Sequence, residues 1–70
     1  MYILKIQTVV TRKEKHPDWA SAVKAGKQMI VLLLPHTEWN SMGTALEKSG
    51  EVHGGGISLE VYDEKMEAWH

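Results

Sequence analysis

Four histidines, His16, His36, His53 and His70, are the residues of this 70-residue chain best suited to bind a metal or carry a proton near neutral pH. A metal-binding pair on one helix needs the i, i+4 spacing of H-E-x-x-H, and no two of the four are local in sequence. A site would have to be assembled by the fold. His16-Pro17-Asp18-Trp19-Ala20-Ser21 and His36-Thr37-Glu38-Trp39-Asn40-Ser41 share the pattern H-x-acid-W-x-S at an offset of twenty residues. If each copy followed a strand of one parallel sheet, His16 and His36 would meet at the carboxyl edge where open α/β sheets bind ligands, with Asp18 and Glu38 beside them. The plainer reading is a shared helix start, an acid for the helix dipole and a tryptophan that pins the first turn to the sheet. No metal or cofactor site is expected.

His53-Gly54-Gly55-Gly56 spells the HGGG of lipase-type oxyanion holes, but the G-x-S-x-G nucleophile motif is missing around Ser21, Ser41, Ser49 and Ser58. The three glycines also lack the G-x-G-x-x-G spacing or the Lys-Ser/Thr of phosphate loops, and they are flanked by Glu51 and Glu60. They read as a turn or bulge. Paired carboxylates such as Asp63-Glu64 have no apolar setting that would raise a pKa for acid catalysis. The chain is not expected to be an enzyme.

Charge is divided along the chain. Residues 1–30 hold six basic groups (Lys5, Arg12, Lys13, Lys15, Lys24, Lys27) against two acidic ones, and residues 31–70 hold two basic groups against seven acidic ones. The net charge is −1 and the pI about 6.4. Such halves can attract each other within one fold, organise contacts between subunits, or simply form a mixed solvated surface. Arg12, Lys13, Lys15, Lys24 and Lys27 are the candidate phosphate contacts of a nucleic-acid-binding protein. The acidic pI, the absence of phenylalanine and Glu14 within the cluster argue against that use. The acidic half offers Glu60, Glu64 and Glu67, with Trp69 as aromatic anchor, as contacts to a protein partner.

The elements that position these groups follow from patterning. Residues 2–10 alternate as a strand, with Tyr2, Leu4, Ile6, Thr8 and Val10 on one face. Arg12-Lys13-Glu14-Lys15 then leads out of the sheet. Pro17 and Asp18 open a helix over about 17–25, carrying Trp19, Ala22 and Val23 inward and ending at Gly26. The run Gln28 to Leu34, bounded by Gly26 and Pro35, reads as a strand buried on both faces. Thr37 or Ser41 caps a second helix marked by Trp39, Met42 and Leu46 and closed by Gly50, with Gly43 inside it for close packing. Residues 57–62 alternate as a strand. The last eight residues fit either a helical stripe (Tyr62, Met66, Trp69) or an antiparallel edge strand, and the strand is slightly preferred.

The expected architecture is a single α+β domain over residues 1–70. It has a three- or four-stranded sheet in the order β-α-β-α-β(-β), with both short helices on one face. Without cysteine there is neither disulfide nor cysteine-ligated zinc, which suits a reducing, cytoplasmic setting. No secretory signal is visible, and the longest apolar run, Met29 to Leu34, is far short of the ~20 residues of a membrane helix. A chain this short has a modest core and gains stability from a second subunit. The open sheet face or an edge strand is the expected place for it. The function expected is that of a small protein-interaction module, a regulator or inhibitor acting as a homodimer; the alternative is a nucleic-acid-binding accessory protein.

Overall fold

A computed structural model describes residues 1–67 of the chain. Strands β1 (Tyr2–Gln7) and β2 (Thr11–His16) form a hairpin. Helix α1 (Trp19–Leu33) and helix α2 (Trp39–Ser49) follow, joined by a 3-10 turn at His36–Glu38. A second hairpin, β3 (Glu51–Gly54) and β4 (Ile57–Asp63), leads into a single helical turn, α3 (Glu64–Glu67). The sheet is antiparallel throughout, in the spatial order β2-β1-β4-β3. The fold is α+β as the patterning indicates, but the elements run ββααββ. Among the described residues no helix is long and apolar enough to cross a membrane.

The charged stretch Arg12-Lys13-Glu14-Lys15 does not leave the sheet. It is the edge strand β2, in register with β1 from Tyr2↔His16 to Gln7↔Thr11. Pairing to one neighbour requires only backbone hydrogen bonds, and a lysine-rich sequence on an edge also discourages pairing with another chain. The hydrophobic alternation of β1 is real, and Leu4 and Ile6 are buried against the helices together with Val52, Ile57, Leu59 and Val61. Residues 9 and 10 are the hairpin tip, and Val9 is fully exposed.

The largest correction concerns residues 28–34, which continue α1 instead of forming a strand. The buried positions Ala22, Val23, Gly26 and Ile30 keep an i, i+3/i+4 spacing straight through Gly26. Gly26 is inside the helix because α2 crosses there. A Cβ at 26 would lie 2.5 Å from Cδ2 of Leu46, which is completely buried. The crossing is thus set by an absent side chain on one helix and a large one on the other. At Gly43 a Cβ would meet only the stem of Lys27 at 3.6 Å, an ordinary van der Waals contact, so packing does not demand this glycine as it demands Gly26. The Lys27 ammonium continues past it to Glu47 at 2.8 Å.

Both helix starts use the repeated motif, though in different ways. The Asp18 carboxylate accepts the Ser21 backbone N–H at 2.7 Å, a true N-cap, and Trp19 packs edge-on against Tyr2 of the sheet with ring centroids 5.8 Å apart. In the second copy Glu38 makes no side-chain cap, and the Ser41 hydroxyl donates to the Glu38 carbonyl at 3.3 Å. Trp39 is partly buried against the same core cluster. Its Nε1 donates to the Leu34 carbonyl at 3.0 Å, tying α2 to the end of α1. Gly55 and Gly56 have φ of 60° and 83°, the pair of positive values a tight two-residue hairpin demands, so the triglycine is a turn. The C-terminal segment begins as a helical turn over Glu64–Glu67 and not as an edge strand, while Trp69 lies outside the described residues.

The hydrogen bond from the Ser21 N–H, and then the Ser21 hydroxyl, holds the Asp18 carboxyl below its ordinary pKa. The Lys27 ammonium, by hydrogen bond and by charge, does the same for Glu47. A depressed carboxylate stabilises the fold above its unfolded pKa of about 4, and that contribution is lost as pH falls through the folded value. Thermal midpoints followed by circular dichroism from pH 6 to pH 3 should therefore fall at the acid end. Asp18→Asn caps equally well without titrating and should flatten the fall. An unchanged acid limb would show that Asp18 plays no part in it.

Candidate functional site

The fold separates the two histidines that a parallel sheet would have brought together. His16 ends β2 beside Tyr2, its Nε2 3.3 Å from the Glu14 carboxylate. His36 stands past the far end of α1, edge-on to Trp39 at 4.6 Å. The 15 residues of α1, about 22 Å at 1.5 Å per residue, lie between them. Among the described residues no group of three or more His, Asp or Glu side chains converges on a metal-sized space.

The candidate phosphate contacts do not converge either. Arg12 pairs in the sheet with Ile6 and so shares its helix-facing side, while Lys13 and Lys15 alternate onto the outer face. Lys24 and Lys27 lie on α1. Three of these cations hold carboxylates: Arg12 with Glu14 at 3.0 Å, Lys15 with Glu64 at 2.8 Å and Lys27 with Glu47 at 2.8 Å. The last two bridges join the basic half of the sequence to the acidic half. The same meeting occurs in the sheet, where β1 pairs with β4. Across the outer face Lys13, Lys5, Glu60 and Glu51 follow one another on adjacent strands, two cations and then two anions.

Of the acidic candidates, Glu60 sits half-buried in that row, Glu64 is engaged with Lys15, and Glu67 is the last residue of α3. Glu60 and Glu64 are engaged separately, one in the strand row and one with Lys15. Beside Glu60 is a polar hollow of about 180 Å³ lined by Lys5, Gln7, His53, Ser58 and Glu60. In it Ser58 Oγ and His53 Nδ1 are 2.6 Å apart, a cross-strand pair of β3 and β4. A serine bonded to an imidazole is one part of a nucleophilic site. Among the described residues no carboxylate bonds the other ring nitrogen, and a hydroxyl–imidazole pair on an exposed antiparallel sheet follows from register alone. Sequence reading could have found it once residues 51–54 were paired to 57–60 through the glycine turn.

The apolar side chains that a buried strand at 28–34 would have covered are in part on the surface of α1. Val31, Leu32 and Leu33 are 46%, 76% and 45% exposed. The end of α1 and the tip of the β1–β2 hairpin lie at the same end of the sheet. Leu34 packs on Gly55 of the β3–β4 turn, and Gln7, which closes β1, is in register with Ser58. Val9 and Val10, both exposed, therefore belong to the same end of the molecule as Leu33. Along the outer side of α1 a shallow, almost wholly apolar hollow of about 500 Å³ is framed by Lys24, Lys27, Gln28, Val31 and Leu32. No family model, curated protein or solved structure matches the chain.

Proposed function

We propose that this chain is a small cytoplasmic protein-interaction module, a regulator or inhibitor that acts as a homodimer and works by occupying the surface of a partner protein. The observation that carries this reading is the exposure of four aliphatic residues towards one end of the molecule: Val9 and Val10 on the hairpin tip, and Leu32 and Leu33 on α1. A domain of this size has few large aliphatic side chains to spare from its core, so leaving these in water favours surfaces that are covered in the working state. The scattering of Arg12, Lys13, Lys15, Lys24 and Lys27 over three surfaces favours a protein over a nucleic acid as partner.

The hairpin end is the contact to the foreign partner. Full burial of one valine or leucine contributes about 1.5–3 kcal/mol, so Val9→Asp, Val10→Asp or Leu33→Asp should each weaken partner capture from the native host by about tenfold or more. Circular dichroism should remain unchanged for Val9→Asp and Val10→Asp, both well exposed on the hairpin tip, and Leu33→Gln, without an anion at the negative end of α1, separates lost contact from lost helix at position 33. Equal recovery of the same partner by the wild type and all three variants would refute this assignment.

A further inference from the structure

The outer stripe of α1 has a shape and charge that fit a second copy of itself. Leu32 projects as a knob, and next to it is the hollow framed by Lys24, Lys27, Gln28, Val31 and Leu32. Knob and hollow thus lie on one helix face, with Lys24 and Leu32 each four residues, about one turn, from Gln28. Resting on the homodimer reading above, we propose that two chains associate through α1 packed antiparallel on α1, with the two-fold axis passing at Gln28. Leu32 of each copy then lies over the hollow beside Lys24 of the other, and the two Gln28 amides meet on the axis.

Electrostatics select the antiparallel arrangement. Helix α1 contains no acidic residue, and its last turn has no basic one. The last helical hydrogen bond runs from the Leu34 N–H to the Ile30 carbonyl, so the carbonyls of Val31, Leu32 and Leu33 have no donor from the helix. These carbonyls are the negative end of the helix dipole, where a cation is favourable. Side chains on a helix lean towards its N-terminus. In an antiparallel pair that direction is the partner's C-terminus, so Lys24 of each copy reaches the carbonyls that the other leaves open. A parallel pair would place Lys24 beside Lys24 and leave the carbonyls without a cation. The stripe involves about six residues a side, well under the roughly 800 Å² per partner of a standard interface, so association belongs in the micromolar range.

The absence of cysteine makes the geometry directly testable. Gln28→Cys, on the axis and exposed, should form an intermolecular disulfide under mild oxidation at micromolar protein. The rate should be about tenfold or more above that of Gln7→Cys, because association raises the effective thiol concentration only at position 28. Sedimentation should give twice the 7.9 kDa monomer mass for the wild type and the monomer mass for Leu32→Asp. Lys24→Ala should weaken dimerisation by about tenfold through its two symmetric contacts. A monomer at all micromolar concentrations overturns the proposal. So does a dimer that cross-links at position 7 and not at 28, although that result would leave the interaction-module reading standing with the sheet as its dimer face. Binding of a Leu/Glu amphipathic peptide by a monomer, lost in Leu32→Asp, would assign the stripe to a foreign helix instead of a second copy.

Discussion

Leu46→Ala should lower the thermal midpoint by about 15–35 °C. Leu46 is completely buried, and its Cδ2 occupies the space where any residue but glycine at 26 would place a Cβ. Leucine-to-alanine changes at such positions cost about 3–5 kcal/mol, the lost transfer energy plus the cavity that remains. In a small domain each kcal/mol is worth about 4–8 °C, and total stability is only several kcal/mol. The site also predicts the sign of a coupling. Gly26→Ala alone forces a methyl group against a side chain with no room to move, so the roughly 1 kcal/mol of helix propensity it gains is outweighed by the clash. In the Leu46→Ala background the same methyl enters the new cavity, and Gly26→Ala becomes stabilising. A double-mutant cycle followed by circular dichroism reads this directly. If Gly26→Ala changes stability equally in both backgrounds, the α1–α2 crossing is not held by this pair.

The reversal at Gly26 explains what sequence reading could and could not recover. β1, β4 and α2 were legible because their patterns favour one reading: the Leu4–Ile6 and Ile57–Leu59–Val61 alternations within β-branched segments, and the Met42–Leu46 stripe closed by Gly50, although Ile3 is buried as well as Leu4. Residues 26–34 have two readings. A glycine followed by an unbroken apolar run and a proline fits a helix end and a buried strand. It fits equally a helix whose glycine faces a neighbour and whose last turn leaves leucines in water. Only tertiary contact decides between them, here the approach of Leu46 to Gly26. Likewise Thr11–His16 lacks any apolar face, and its strand state rests on backbone pairing with β1, which composition does not report.

The candidate site inherited these errors. The His16–His36 pairing depended on a parallel strand at 28–34, so it disappears once that segment is helical. Val31, Leu32 and Leu33, which a strand would bury, are exposed on the helix instead. Charge segregation, by contrast, was legible in the sequence. Its consequence is the meeting of β1 with β4 and the bridges Lys15–Glu64 and Lys27–Glu47, which are contacts within one chain. Surface pairs of this kind contribute about 0–1 kcal/mol each and guide the arrangement more than they hold it.

Gly50→Ala should destabilise the chain nearly as much as a core truncation, for two separable reasons. Gly50 closes α2 with φ of 78°, and its N–H donates to the Leu46 carbonyl at 2.8 Å. A side chain in that conformation costs about 1–2 kcal/mol. The added Cβ would also lie 2.7 Å from Cη2 of Trp19 and 3.2 Å from the Val61 carbonyl. The Gly50 carbonyl accepts the Val61 N–H at 2.6 Å, so the backbone cannot move away without breaking a link between α2 and β4. Overpacking of this kind adds about 1–3 kcal/mol, for a total of about 2–5 kcal/mol. The two parts respond differently to Trp19→Leu, which withdraws the indole and keeps an apolar contact with Tyr2. In that background Gly50→Ala should retain the conformational cost and lose most of the steric one, so its effect should fall by roughly half. Urea unfolding of the four proteins gives the comparison. An undiminished effect of Gly50→Ala in the Trp19→Leu protein would place the whole cost in the left-handed backbone and leave the packing of Trp19 on the end of α2 without energetic consequence.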